Sequence, residues 1–310
     1  MEIIAGVDEA GRGPLAGPVA AAAVILPENH ALEGLRDSKK LTPKRREELY
    51  DQIQASASAI GIGMVHEADI DKINILNATH KSMQQALGRL KIRPDIALID
   101  GYELPNQIIK NKGIIKGDSQ VDEIMAASII AKVTRDRLML QYDRVFPDYG
   151  FAKHKGYGTQ LHMEVLRSNK ATPIHRKTFK PVAENIPSLS WLRKKRLVGT
   201  VGEQLAACHL IRRNYELIKL NEYCRPYGEI DIIAVHDNTL VFAEVKTHSR
   251  EQSFTPEIKV DETKLKKLED AISVYLIKNE YNGNIRLDVL SVLLGKGRAD
   301  IRHYKGIEIS

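Results

Sequence analysis

The sequence predicts an α/β protein built from two domains of unequal size. Short apolar runs of strand length alternate with longer segments that show helical periodicity. The chain has 310 residues, more than a typical single domain contains. A segment rich in proline, serine and basic residues, 181–196, interrupts the alternating pattern. We therefore expect one domain over residues 1–188, a linker over 189–197 and a second domain over 198–310.

The first domain is expected to contain a sheet with flanking helices. The pair Thr42-Pro43 is typical of a helix start. Asp118 or Ser119 is a candidate N-cap for the longest segment with apolar periodicity. A glycine-rich turn joins the first two apolar runs. The predicted strands are 3–7, 19–26 and 96–99, and the predicted helices are 44–55, 77–89 and 119–144.

The second domain is expected to be a smaller α/β unit, and it shows no internal repeat. Its apolar runs alternate with helical periodicity as in the first domain. The predicted helices are 202–213 and 262–278, and the predicted strands are 230–235, 240–245 and 284–294.

Composition indicates a folded cytosolic protein. Hydrophobic residues make up 43% of the chain and charged residues 28%, as in ordinary globular proteins. The longest weakly polar run, 17–27, is too short to cross a bilayer and lacks the features of a signal peptide. Cys208 and Cys224 are therefore expected to be free thiols. The formal charge of +6 favours a polyanionic partner, and no membrane partner is expected.

Acidic residues lie at the ends of three predicted elements. Asp8 and Glu9 end the first strand, Asp100 ends another strand, and Asp118 opens a helix. Ligands and substrates of α/β sheets usually bind where strand ends converge. Clustered carboxylates need a cation to neutralise them, and hard oxygen ligands suit Mg²⁺ or Mn²⁺. For any one of these acids taken alone, a solvated turn residue or a helix cap is the favoured interpretation.

One geometric problem accompanies this hypothesis. Neighbouring side chains on a regular strand point to opposite faces of the sheet. Asp8 and Glu9 can therefore both contact one metal centre only if the strand ends or twists between them. The glycines that follow, Gly11 and Gly13, make such a distortion reasonable.

Distinctive residues surround these acids, and their order along the chain resembles that of the ribonuclease HII family over about residues 1–185. This resemblance implies a ribonuclease H-like mixed sheet with flanking helices. The blocks that carry it are 8–19 (DEAGRGPLAGPV), 37–41 (DSKKL), 100–101 (DG), 117–118 (GD), 127–136 (ASIIAKVTRD) and 154–159 (HKGYGT).

The resemblance also implies a function and a site. It implies that Asp8, Glu9, Asp100 and Asp118 hold two divalent ions, Mn²⁺ or Mg²⁺. The implied reaction is endonucleolytic hydrolysis of the RNA strand of RNA/DNA hybrids. A second implied reaction is incision on the 5′ side of a ribonucleotide embedded in DNA. Protein partners are not predicted.

The resemblance further implies how the substrate is recognised. The turn formed by Gly11, Arg12 and Gly13 would read the 2′-hydroxyl group, which distinguishes RNA from DNA. Tyr157, between two glycines, would sense the junction between RNA and DNA. A simple tight turn and a packing tyrosine are the alternatives. Candidate phosphate contacts, for which a solvated surface charge is an equal alternative, are Lys39, Lys40, Lys132, Lys155, His175 and Arg176.

The second domain carries another charged pattern. Glu244 and Lys246 alternate onto one face of a predicted strand, and Asp231 lies on the strand before it. The blocks 199–207 (GTVGEQLAA), 228–231 (GEID) and 241–246 (VFAEVK) resemble the YraN family of restriction-endonuclease-like proteins over about residues 196–305. The resemblance implies a PD-(D/E)xK nuclease fold in which Asp231 and Glu244 bind a metal, Lys246 orients water and Glu203 adds an acid. Nucleic-acid binding without cleavage is the alternative for this domain, and a binding or scaffold protein is the alternative for the whole chain.

Overall fold

The computed structural model describes residues 2–36, 38–248, 262–295 and 299–307, with the side chains of Lys40, Glu262 and Thr263 outside that description. The chain divides into two compact units. The first comprises Met1–Leu140 and Gly150–Ile186, and the second comprises Gln141–Tyr149 and Pro187–Ser310. No helix in the described residues is long and apolar enough to span a membrane.

The first unit is built on a mixed five-stranded sheet in the order β3-β2-β1-β4-β5. The central strand β1 pairs antiparallel with β2 and parallel with β4. The strands are β1 (Ile4–Ala10), β2 (Val19–Ile25), β3 (Ala59–Val65), β4 (Ile96–Asp100) and β5 (Asn111–Ile114). The helices whose first residue lies in this unit are α1 (Pro43–Ser56), α2 (Glu67–Gly88), α3 (Asp122–Val145), α4 (Phe151–His154), α5 (Gln160–Asn169) and α6 (Lys180–Ala183).

Both faces of this sheet are covered, which explains the apolar composition of β2. All seven residues of β2 are buried. One face packs against Met83 and Leu87 of α2, and the other against Leu49 of α1 and Ile130 of α3. Burial of each such large side chain contributes roughly 1.5–3 kcal/mol. The two hydrophobic layers fix the sheet between helices.

Glycines in two strands set the distance of the helices from the sheet. A Cβ atom on Gly61 of β3 would lie 2.0 Å from the carbonyl oxygen of Ala86 in α2. A Cβ atom on Gly6 of β1 would lie 2.1 Å from the backbone of Glu123, in the first turn of α3. The absence of these side chains allows α3 to begin directly beside β1.

The second unit has a five-stranded sheet in the order β10-β9-β8-β7-β6. Only the β8–β9 pair is parallel among the described pairs. One face packs against α9 through Phe242, Leu268 and Ile272. The elements are α7 (Leu189–Lys194), α8 (Val198–Ile211), β6 (Glu216–Cys224), β7 (Gly228–His236), β8 (Thr239–His248), α9 (Glu262–Lys278), β9 (Asn284–Leu294) and β10 (Ala299–Tyr304).

The α/β class and the two sheets confirm the predicted fold class, while individual elements differ. The expected linker, 189–197, contains the short helix α7. The N-cap prediction for α3 is wrong, because Gly117–Ser119 form a separate 3-10 turn and α3 begins at Asp122. The strands β3, β5, β6 and β10 and the helices α4, α5 and α6 were not predicted. β3 alternates apolar residues with glycine, and β5 is a short polar edge strand, so neither shows a strong strand pattern.

Candidate active site

Three predicted acids meet at one edge of the first sheet. Asp8 lies on β1 and Asp100 ends the parallel neighbour β4, while Asp118 lies on the 3-10 turn that precedes α3. One carboxylate oxygen from each of the three lies within 4.8 Å of the others. Parallel strands bring their carboxyl ends to the same edge, so this convergence follows from the topology.

Asp8 is the most enclosed member of the cluster, with 3% of its surface exposed. Its Oδ1 accepts a hydrogen bond of 2.6 Å from the backbone N–H of Glu9, and its carboxyl also bonds the Ser128 hydroxyl. Burial raises the pKa of Asp8 well above its usual range, and the charges of Glu9 and Asp100 raise it further. A divalent cation would relieve this repulsion.

Asp100 and Asp118 are linked through the 3-10 turn. The backbone N–H of Asp118 lies 3.4 Å from Oδ1 of Asp100 and donates to it. Burial raises the pKa of Asp100, and the Asp118 charge raises it further. A Cβ atom on Gly117 would lie 2.5 Å from Cδ1 of Ile124, so glycine permits the turn to pack here. Lys39 approaches Asp118 at 3.6 Å, between Nζ and Oδ2.

Glu9 lies outside the group of three carboxylates whose oxygens are all within 4.8 Å of one another, but it lies close enough to raise the pKa of Asp8. The β1–β2 register continues without interruption from Asp8 to Ala10, so the strand is not distorted between the two acids. The Oε1 atom of Glu9 lies 3.3 Å from a guanidinium nitrogen of Arg12. Burial raises the pKa of Glu9, whereas Arg12 lowers it. The structure therefore brings three of the four predicted ligands within 4.8 Å of one another, and Glu9 interacts electrostatically with Asp8 and Asp100 while it pairs with Arg12.

Two serines support the cluster and were missed by the sequence analysis. Ser38 and Ser128 are both buried, and their hydroxyl oxygens lie 2.8 Å apart. Ser128 lies on α3 and also bonds Asp8, so the pair connects the loop before α1 to the metal-binding edge. A polar residue within the apolar stretch 124–133 was the available signal. Asp37, part of the same sequence block as Ser38, lies outside the described residues.

The predicted recognition elements also lie together. The backbone N–H of Leu15 donates to the carbonyl oxygen of Gly156 at 2.8 Å, which joins the two loops. A Cβ atom on Gly13 would lie 3.5 Å from Cε1 of Tyr157. The side chains of Arg12 and Tyr157 are solvent-exposed. An exposed aromatic ring therefore borders the turn formed by Gly11, Arg12 and Gly13, which we call the recognition turn for its predicted role.

Two of the predicted phosphate contacts are wrong. His175 and Arg176 are 1% and 0% exposed, so neither can contact a phosphate directly. Burial lowers the pKa of His175 to about 3, and the neighbouring His162 lowers it as well, so His175 is neutral near pH 7. Its Nδ1 accepts from the backbone N–H of Thr172 at 3.0 Å. These two residues are part of the interior behind the recognition turn.

The lysines predicted to contact phosphates differ in their surroundings. Lys39 is exposed and lies beside the carboxylate cluster. Lys132 is half-buried and pairs with Asp136 at 2.8 Å. Lys155 donates to the carbonyl oxygen of Ala152. Of these three lysines, Lys39 is therefore the best placed for a phosphate near the cluster.

In the second unit, three of the four predicted residues lie on the hairpin formed by β7 and β8: Asp231 on β7, and Glu244 and Lys246 on β8. Lys246 Nζ lies 2.8 Å from Oε1 of Glu244, which is buried. Asp231 Oδ2 accepts from the backbone N–H of Val245 at 2.7 Å. Burial, together with the charge of Glu244, raises the pKa of Asp231 to about 7.

Glu203 lies near this group without contacting it directly. Its Oε2 accepts a 3.0 Å hydrogen bond from the Asn221 side chain, and its charge raises the pKa of Asp231. Lys264 of α9 also contacts Glu244. Sequence reasoning missed Lys264 because no motif connects α9 with the hairpin, and only packing brings them together.

The first unit therefore combines a mixed sheet with a carboxylate cluster of the kind that binds divalent metals, which defines a metal-dependent hydrolase of the nuclease class. The family model described as Ribonuclease HII matches residues 5–182. The chain belongs to the ribonuclease HII family. The model of an uncharacterised family, UPF0102, which is the YraN family, matches residues 202–292. Both resemblances expected from the sequence are confirmed.

Similar proteins support this assignment. The chain is 56% identical over 178 residues to Ribonuclease HII of Acetivibrio thermocellus, covering 57% of this chain and 70% of that protein. It is 53% identical over 182 residues to Ribonuclease HII of Coxiella burnetii, covering 59% and 90%. The crystal structure of ribonuclease H2 from Pyrococcus horikoshii matches with a TM-score of 0.50 at 27% identity, covering 58% of this chain and 95% of that one. Ribonuclease HII from Archaeoglobus fulgidus, solved in complex with PCNA, matches with a TM-score of 0.50 at 29% identity, covering 61% and 99%.

Proposed function

We propose that the first domain is an endonuclease that hydrolyses the RNA strand of RNA/DNA hybrids and incises on the 5′ side of ribonucleotides embedded in DNA. The observation that carries this proposal is the convergence of Asp8, Asp100 and Asp118 within 4.8 Å. The names of the relatives support the reaction class. We assign this activity to residues 1–188, and we propose that the protein acts in the cytoplasm.

The donor set fits Mn²⁺ or Mg²⁺. Three hard carboxylate oxygens converge, and the pKa values of Asp8 and Asp100 are raised by burial first and by the neighbouring carboxylates second. Divalent ions bound there would supply Lewis-acid activation of water and of the scissile phosphate. Glu9, whose Oε1 lies 3.3 Å from Arg12, would offer its second carboxylate oxygen to the same ions.

The chain's own residues would position the substrate. Lys39 lies at the cluster and can contact a phosphate oxygen near the scissile bond. The turn from Gly11 to Gly13 can approach a ribose closely because two of its residues lack a Cβ atom. Tyr157 borders that turn and offers a ring on which a sugar or base can pack. Together these groups would place a ribonucleotide beside the carboxylates.

The test is incision of a DNA duplex that contains one ribonucleotide, in Mg²⁺ or Mn²⁺. Wild-type chain should produce 3′-hydroxyl and 5′-phosphate ends, and Asp8→Asn should abolish incision while leaving duplex binding largely intact. Lys246→Ala, in the second domain, is the control and should retain incision. Absence of incision by folded wild-type chain would refute the proposal, and near-normal turnover by Asp8→Asn would refute the site assignment.

We propose a second nuclease centre in residues 198–310, with a restriction-endonuclease-like fold. The observation that favours it is the contact of Glu244 with Lys246 beside Asp231, whose pKa is raised to about 7. A metal ion between the two acids would lower that pKa, and Lys246 could then orient water. Glu203 would contribute an additional acid near the same hairpin.

Silencing the first site isolates this activity. The Asp8→Asn chain should cleave DNA in Mg²⁺ or Mn²⁺, and adding Lys246→Ala should abolish that cleavage. Lys266→Ala, an exposed lysine on α9, is the charge-matched control and should have no effect. DNA binding without cleavage by the Asp8→Asn chain would favour a binding module and contradict a second nuclease.

A further inference from the structure

Two buried arginines lie behind the recognition turn. Arg135 is 1% exposed and Arg176 is fully buried, and each bonds backbone carbonyl oxygens. Arg135 donates to the carbonyl oxygens of Pro18, Ala16 and Lys155 at 2.9, 3.1 and 3.0 Å. A buried charge is costly unless its hydrogen bonds are satisfied, and both guanidinium groups achieve this by donating to backbone carbonyl oxygens.

The bonds of Arg176 are directed at the recognition turn itself. It donates to the carbonyl oxygens of Arg12 at 2.8 Å and of Gly17 at 3.0 Å, and it also donates to that of Gly11. Its own backbone N–H donates to the carbonyl oxygen of Leu15 at 2.9 Å, so the arginine is fixed to the same loop. A guanidinium is a rigid fork of donors, which suits it to hold several carbonyl groups at once.

The orientation of two peptide groups follows from these bonds. In a planar trans peptide, the carbonyl oxygen and the next residue's N–H point in opposite directions. Because the carbonyls of Gly11 and Arg12 point inward to Arg176, the amides of Arg12 and Gly13 point outward. No acceptor in the described part of the chain bonds either amide, and both residues are exposed. Two adjacent donors are thus presented to solvent beside Tyr157.

We propose that Arg176 is a positioning residue for recognition of the ribose: it fixes the amides of Arg12 and Gly13 as outward donors to the 2′-oxygen. This inference rests on the proposed function. The buried positive charge also polarises both peptide groups toward stronger donation. Although burial lowers the pKa of Arg176 to about 10, with Arg135 adding to the effect, the guanidinium remains charged near pH 7.

The test compares binding of two duplexes in EDTA, where no cleavage occurs: a DNA duplex with one ribonucleotide and the same duplex with the deoxynucleotide. Phosphates are common to both duplexes. The Kd of the deoxynucleotide duplex divided by the Kd of the ribonucleotide duplex therefore measures the contribution of the 2′-hydroxyl alone. Arg176→Lys keeps the charge and removes the fork. It should reduce the ratio by about tenfold, the factor expected when one or two such hydrogen bonds are lost.

Arg135→Lys is the matched control, because Arg135 is equally buried and bonds three carbonyl oxygens outside residues 11–13. It should destabilise the protein in urea to a similar degree and change the ratio less. A ratio unchanged in Arg176→Lys, or reduced equally in both variants, would overturn the positioning role, since a structural role alone predicts equal weakening for both duplexes.

Hydrogen exchange on wild-type chain decides the question should Arg176→Lys not fold. The amides of Arg12 and Gly13 should exchange rapidly in free protein and become protected by the ribonucleotide duplex, but not by the deoxynucleotide duplex. Equal protection by both would overturn the inference. Incision by wild-type chain in Mn²⁺ is measured alongside, and its absence would instead refute the proposed function on which the inference rests.

Discussion

Removal of the Ser128 hydroxyl tests how the carboxylate cluster is supported. Ser128 is buried on α3, its Oγ lies 2.8 Å from that of Ser38, and it bonds the Asp8 carboxyl. The Ser128→Ala substitution removes both bonds and leaves the backbone of α3 unchanged. The substitution therefore tests the orientation of the Asp8 carboxyl while Asp8 itself stays in place.

The expected size follows from these two bonds. A hydrogen bond to a charged group contributes about 1.5–3 kcal/mol, and a buried hydroxyl left without a partner, here that of Ser38, costs about 1–3 kcal/mol. Since part of each effect is offset by relaxation, we expect Ser128→Ala to lose about 2 kcal/mol of unfolding free energy. Residues that orient metal ligands typically change metal affinity by about 10–100-fold, so Mn²⁺ should bind at least about tenfold more weakly.

Calorimetric titration with Mn²⁺ and urea unfolding measure the two quantities. Ser38→Ala is the matched control, because it breaks the contact between the serines and leaves the bond from Ser128 to Asp8. It should lower stability with a smaller effect on Mn²⁺ binding. If Ser128→Ala bound Mn²⁺ as tightly as Ser38→Ala does, the serine would support packing only and the reasoning about Asp8 would be refuted.

Three further predictions concern other groups. The pKa of His175 is lowered to about 3 and that of His162 to about 4, mainly by burial, so the unfolded chain binds more protons between those values and about pH 6.5. Urea unfolding should accordingly show stability falling as pH drops below about 6.5, and a His175→Gln variant with undiminished pH dependence would contradict this. Tyr157→Ala should reduce cleavage at a single embedded ribonucleotide more than cleavage of a continuous hybrid; equal losses in competition assays would remove its recognition role. Without metal, burial destabilises the charged form of Asp231 and raises its pKa to about 7. The Asp231→Asn variant should therefore have a higher melting temperature than wild type at about pH 8 and the same melting temperature at about pH 4. A lower melting temperature of the variant at about pH 8 would contradict this prediction.

Sequence reasoning located most of the candidate site because its acids stand at element ends. Asp8 and Asp100 follow apolar runs that become neighbouring parallel strands, and parallel strands end at one edge. The position of Glu9 depended on whether β1 is distorted. The register shows that it is not; Glu9 pairs with Arg12 outside the three converging acids, although its charge still acts on Asp8.

The sequence does not show which of the basic residues are buried and which are accessible to a phosphate. His175 and Arg176 have the composition of a phosphate-binding pair, yet both are enclosed because residues 174–176 bond residues 15–17. That pairing joins segments more than 150 positions apart, a separation at which local patterns carry no information. The same applies to Lys264, which reaches Glu244 only through the packing of α9.

The α/β class, the two family resemblances and the converging acids can be predicted from the sequence, because each depends on a local pattern or on motif blocks. Which charges are buried and what they contact depends on how distant segments pack. The guanidinium of Arg176 bonds the carbonyls of Gly11 and Arg12, a contact between distant segments. Desolvation and hydrogen-bond direction arise only when such segments pack, and they convert a basic residue of the sequence into support for the recognition turn.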